Sequence, residues 1–142
     1  MHLSYKLIFD QKPAYLHAIV TGYSSRENVT RYLEEVGREC VARGCIRVLI
    51  EELLKGPNLG TFDIYEIAAD DSGRNFKALQ MIAFVDVNAD RDAMGFAETV
   101  AVNRGISVRV FWSVADAEKW LLHREGAGTE PNAPVDADKP RR

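Results

Sequence analysis

The stretch Cys45-Ile46-Arg47-Val48-Leu49-Ile50-Glu51, continued by Glu52-Leu53-Leu54-Lys55-Gly56-Pro57-Asn58-Leu59-Gly60-Thr61-Phe62-Asp63, decides the fold class. Its compact apolar run predicts a strand over 45–51. Gly56, Pro57 and Gly60 then predict a turn, and a helix begins near Thr61. Just upstream, Gly44 sits where a helix closes on a left-handed residue. Val29, Tyr32, Leu33, Val36 and Cys40 mark one face of that preceding helix, with Ser24 or Ser25 as its cap. Helix, strand, turn and helix in succession are the makings of an α/β domain.

Further out, the N-terminal residues read as a hairpin. Leu3, Tyr5, Leu7 and Phe9 alternate with Ser4, Lys6, Ile8 and Asp10, and Gln11-Lys12-Pro13 turns the chain. Ala14, Leu16, Ala18 and Val20 then alternate with Tyr15, His17, Ile19 and Thr21. Downstream, the helix from Thr61 frays near Asp70-Asp71-Ser72-Gly73, with a further turn at Phe76 and Leu79. Strands are predicted over Met81–Val87 and Ile106–Trp112. Phe96, Ala97, Val100 and Ala101 mark the helix between them, ending at Asn103-Arg104-Gly105. Ser113 caps a last helix with Val114, Ala117, Trp120 and Leu121 on its apolar face. The expected fold is therefore an N-terminal β-hairpin, three αβ units and a C-terminal helix on a mostly parallel five-stranded sheet.

The strands alternate in polarity instead of running continuously apolar. Ile46, Val48 and Ile50 oppose Arg47, Leu49 and Glu51, while Ile106, Val108, Val110 and Trp112 oppose Ser107, Arg109 and Phe111. A parallel sheet buried on both faces does not read this way. Helices are expected mainly on one face, with the other semi-polar and partly open.

The chain has 142 residues, 46% hydrophobic and 27% charged, with a net charge of -3. That supports one domain over 1–123. Residues 124–142, rich in Gly, Pro, Ala and charge, read as a disordered tail. The mild acidity argues against a nucleic-acid partner, and no apolar run is long enough for integral membrane association. The start of the chain lacks a secretory pattern, so a cytoplasmic location is expected. Cys40 and Cys45 have no matching ligand pair and read as reduced structural thiols; no metal and no cofactor is expected.

The order of elements, together with Phe96-Ala97-Glu98-Thr99-Val100-Ala101-Val102-Asn103-Arg104-Gly105-Ile106-Ser107-Val108-Arg109-Val110-Phe111 and the closing Ala117-Glu118-Lys119-Trp120-Leu121, resembles the SpoIIAA-like family. That family shares the STAS fold of anti-sigma-factor antagonists and is often discussed alongside SEC14-type domains. The resemblance implies a non-enzymatic regulatory or protein-interaction module. Its SEC14 side implies, as the alternative, a binder of an apolar small molecule or lipid. Antagonists of this family carry a phosphorylatable Ser at the helix start after the third strand. Here Leu59-Gly60-Thr61-Phe62-Asp63 has no Asp-Ser-Ser-Gly string, and Thr61 supplies the hydroxyl.

Three groups of residues are candidates for function. Thr61 is a helix N-cap or a phosphosite; Asp63 suits the cap, while Glu51, Glu52 and Asp63 oppose a phosphate. Tyr15, His17, Ile19, Arg47, Leu49, Phe84, Arg109 and Phe111 form the expected open face, a mixture suited to a protein interface or a homodimer. Phe62, Ile64, Tyr65, Ile67 and Phe76 would line an apolar pocket. Glu51, Glu52 and Asp86 fall at strand ends, where they read as solvated charges. No nucleophile–His pair or phosphate loop accompanies them, so an enzyme is not expected.

Overall fold

The computed structural model describes residues 4–56, 71–86, 92, 95, 98–99, 102–103 and 105–123, the side chains at 71–74 excepted. The elements are β1 (Tyr5–Gln11), β2 (Leu16–Tyr23), α1 (Arg26–Arg43), β3 (Arg47–Lys55), a 3₁₀ helix (Asp71–Ala78), β4 (Met81–Val85), β5 (Val108–Phe111) and α2 (Val114–Leu122). Asp92, Gly95, Glu98, Thr99, Val102 and Asn103, between β4 and β5, are also helical. The helix expected from Thr61, and the tail from 124, lie outside the described residues.

Strand order in the sheet follows chain order, β1-β2-β3-β4-β5. β1 and β2 pair antiparallel, and the three later pairs are parallel. The hairpin register sets Ile8 opposite Ile19, Lys6 opposite Thr21 and Asp10 opposite His17. Lys12 N–H donates to the Tyr15 carbonyl at 2.9 Å and closes the turn.

The alternation seen in the sequence sorts residues onto two faces. On the first, Leu16, Ala18, Val20, Val48, Ile50 and Ile82 pack against Val29, Tyr32, Val36 and Cys40 of α1, and against Phe76 and Leu79. Tyr5, Leu7 and Phe9 of β1 close this core at its side. α1 is held at both ends as expected. The Ser25 hydroxyl accepts from Asn28 N–H, and Gly44 takes φ 69° while its N–H reaches the carbonyls of Cys40 and Val41. On the second face, Tyr15, Leu49, Met81, Ala83 and Val85 pack against Ala117 and Leu121 of α2. Ser113 caps that helix by accepting from Asp116 N–H.

Several strand boundaries differ from the sequence reading; β4, expected over Met81–Val87, ends at Val85. β3 starts at Arg47, and Ile46, expected inside, is exposed. Its carbonyl instead accepts from the backbone N–H groups of Gln80 and Met81 at the start of β4. At its far end β3 runs past the Glu51-Glu52 pair to Lys55, because Glu52 to Lys55 pair with Val20 to Tyr23 of β2. β5 is confined to Val108–Phe111, with Ile106 and Trp112 outside the ladder.

Candidate functional site

Glu51 and Glu52 are consecutive in β3 and therefore point to opposite faces. Each meets a partner that keeps the strand going. On the second face, His17 Nε2 and Glu51 Oε1 are 2.9 Å apart, with both side chains mostly shielded. On the first face, the Tyr32 hydroxyl of α1 donates to Glu52 Oε2 at 2.5 Å. Asp86, just past β4, hydrogen-bonds the same carboxyl. Burial, helped by the charge of Asp86 and the bond to it, pushes Glu52 up to about 7, while the Tyr32 hydroxyl acts the other way. Burial and the adjoining Glu52 raise the Tyr32 phenol well above its ordinary value. Glu52 is therefore no solvated strand-end charge, as the sequence suggested.

The second face divides in two. α2 packs over β3, β4 and β5. Beneath it Leu49 is 0% and Tyr15 4% exposed. The Tyr15 hydroxyl donates to Glu118 Oε2 at 2.9 Å, and burial first, then that carboxylate, lifts its phenol to about 12. Arg47 Nη1 donates to the Leu121 carbonyl at 2.7 Å. Arg109 sits 5.9 Å from the Trp120 ring centre, and the Phe111 and Trp120 rings are 5.6 Å apart. Among the described residues no element covers the β1–β2 half and the far end of β3: Ile8 is 46% and Leu53 40% exposed. Ile19, paired with Ile8 and Glu51, lies between them. Exposed Lys6 and half-buried Thr21 lie on this half with the His17–Glu51 pair, which is itself mostly shielded.

The expected open face is thus partly redistributed. His17 and Ile19 belong to the bare half. Tyr15 and Leu49 are core, because α2 covers them. Arg47, Arg109 and Phe111 are engaged with α2. Phe84 pairs with Ile50 and so faces α1, against the first core. Ile8 and Leu53 were not singled out in the sequence. Alternation opposite Leu7 and Phe9 was the signal for Ile8; Leu53 lay beyond the expected strand end. Phe76 is buried in the first core. Thr61, Phe62, Ile64, Tyr65 and Ile67 lie outside the described residues.

The two sheet edges also differ. Outward N–H groups of β5 are satisfied locally: Val110 N–H donates to Glu98 Oε2 at 2.8 Å, and Val108 N–H to the Ile106 carbonyl at 3.1 Å. In β1, Ser4 and Lys12 bond the β2 side. The antiparallel alternation therefore turns the N–H groups of Leu7 and Phe9 outward.

No protein-family model matches the chain, and no curated protein matches it by sequence. Among solved structures it is similar to an uncharacterised protein of the DUF3478 family with a SpoIIAA-like fold, from Shewanella loihica PV-4. The TM-score is 0.50 at 16% sequence identity, covering 83% of this chain and 93% of that one. The chain has a SpoIIAA-like fold; identity at this level speaks to fold alone.

Proposed function

We propose that this chain is a non-enzymatic, STAS-like protein-interaction module that docks a protein partner on the bare half of its second sheet face. One observation carries this reading: Ile8, Ile19 and Leu53 form an apolar strip on a sheet face whose other half is already sealed by a helix. Leaving such a strip in water costs about 25 cal/mol per Å² of apolar surface, which a partner's apolar surface recovers. The His17–Glu51 pair fixes orientation within the strip. Lys6 and Lys55, exposed at one end, favour a partner with acidic side chains there. A cytoplasmic setting belongs to the same proposal.

Leu53→Lys tests it, because the side chain is exposed and the substitution should leave the melting temperature nearly unchanged. Wild-type and Leu53→Lys baits, with an α1 control carrying Val41→Lys at another exposed apolar position, are compared for retained proteins. The partner should be kept by wild type and control and lost by Leu53→Lys. Identical retention by all three baits contradicts the proposal.

A further inference from the structure

The edge strand β1 carries a charge pattern that reads the same against a reversed copy of itself. Its sequence is Tyr5-Lys6-Leu7-Ile8-Phe9-Asp10-Gln11. Lys6, Ile8 and Asp10 point to the bare second face, and Tyr5, Leu7 and Phe9 to the first core. Lys6 has no ion-pair partner among the described residues. Asp10 is paired 3.1 Å from Lys12 in an exposed contact, of the kind that contributes little.

Two β1 strands meeting antiparallel about a twofold axis must hydrogen-bond through their outward groups, which belong to the odd-numbered residues. Of the residue-centred registers this permits, those that overlap most of β1 are centred on Leu7, Ile8 or Phe9. Centred on Leu7, Asp10 meets Ser4 and Lys6 meets Ile8. Centred on Phe9, Lys6 meets Lys12 and Ile8 meets Asp10. Centred on Ile8, each Lys6 meets the second copy's Asp10, Ile8 meets Ile8, and Leu7 bonds Phe9 across the joint. In this last register Ile8 and the two charge pairs fall at the non-hydrogen-bonded positions, where side chains approach most closely.

We infer that β1 pairs antiparallel with β1 of a second copy in the register centred on Ile8, joining two sheets into one. The joint covers Ile8, satisfies the outward groups of Leu7 and Phe9, and continues the Leu7–Phe9 side of the first core across the axis. The inference shares with the proposed function the idea of an interaction module, but it uses the edge and a second copy instead of the face and a different protein.

Sedimentation velocity over a wide concentration range tests it. Wild type should sediment as a dimer. Lys6→Asp and Asp10→Lys each place like charges across the joint twice, and should raise the dissociation constant roughly tenfold or more. Lys6→Asp combined with Asp10→Lys restores opposite charges and should return the dimer to near wild-type strength, which a folding defect would not do. Leu53→Lys, on the face, should leave the dimer intact. A monomeric wild type at every concentration, or single variants that dimerise like wild type, overturns the inference. So does a double variant no better than either single. If Leu53→Lys alone dissolves the dimer, the copies meet through the face and the edge inference is overturned.

Discussion

Glu52 shows how a single residue ties strand, helix and loop together. Its carboxyl accepts from the Tyr32 hydroxyl of α1 and is hydrogen-bonded to Asp86 just past β4. Its pKa is lifted from 4.5 to about 7 in the folded chain, so the native state holds the proton more tightly than the unfolded one. The stabilisation is fully present below about pH 4.5 and is lost as pH rises through about 7. Thermal or urea unfolding should therefore show stability falling by on the order of 1–3 kcal/mol between pH 5 and 8. Glu52→Gln keeps an acceptor for Tyr32 and should flatten that slope; an unchanged slope would assign the dependence to other groups. The position was legible in the sequence as a carboxylate at a strand end. Its chemistry was not, because nothing local in the chain announces that the Tyr32 hydroxyl lies over β3. Tyr32 was read only as one member of an apolar stripe.

At the scale of elements, the hairpin and α1 were legible because their signals are local. Alternation over Tyr5 to Phe9, the Ser25 cap and the left-handed Gly44 each act within a few residues. β3 was misread at both ends, since its length is set by what β2 and β4 offer it. Glu51-Glu52 looks like a stop, yet His17 and Tyr32 give each carboxylate a partner, and pairing with β2 continues to Lys55. The hairpin's own weak point is Gly22, which takes φ 122° where a Cβ would meet the Ser4 carbonyl oxygen at 2.4 Å. Neither the conformation nor the space admits a side chain. Gly22→Ala should cost roughly 1–3 kcal/mol and loosen β1 before the rest of the sheet. Amide hydrogen exchange should show protection falling first at Lys6 and Ile8; uniform loss across the sheet would argue for a different origin.

For the molecule as a whole, alternation told which residues share a face but not where α2 would settle. Tyr15, Leu49, Arg47, Arg109 and Phe111 have the polarity of an open surface, and only the tertiary position of α2 turns them into its seat. That seat depends on Leu121, fully buried against the second face. Leu121→Ala should destabilise by about 2–5 kcal/mol and raise binding of a dye that reports exposed apolar surface; near-neutral melting would mean that α2 contributes little. The capped β5 edge has a consequence of another kind. A sheet that accepts a new strand at both margins can add molecules without end, as fibrils do. With the Val108 and Val110 amides already satisfied, the outward amides left to pair with a new strand, among the described residues, are those of β1. A twofold joint there would use up the template of both molecules, so growth by strand addition would end at a pair.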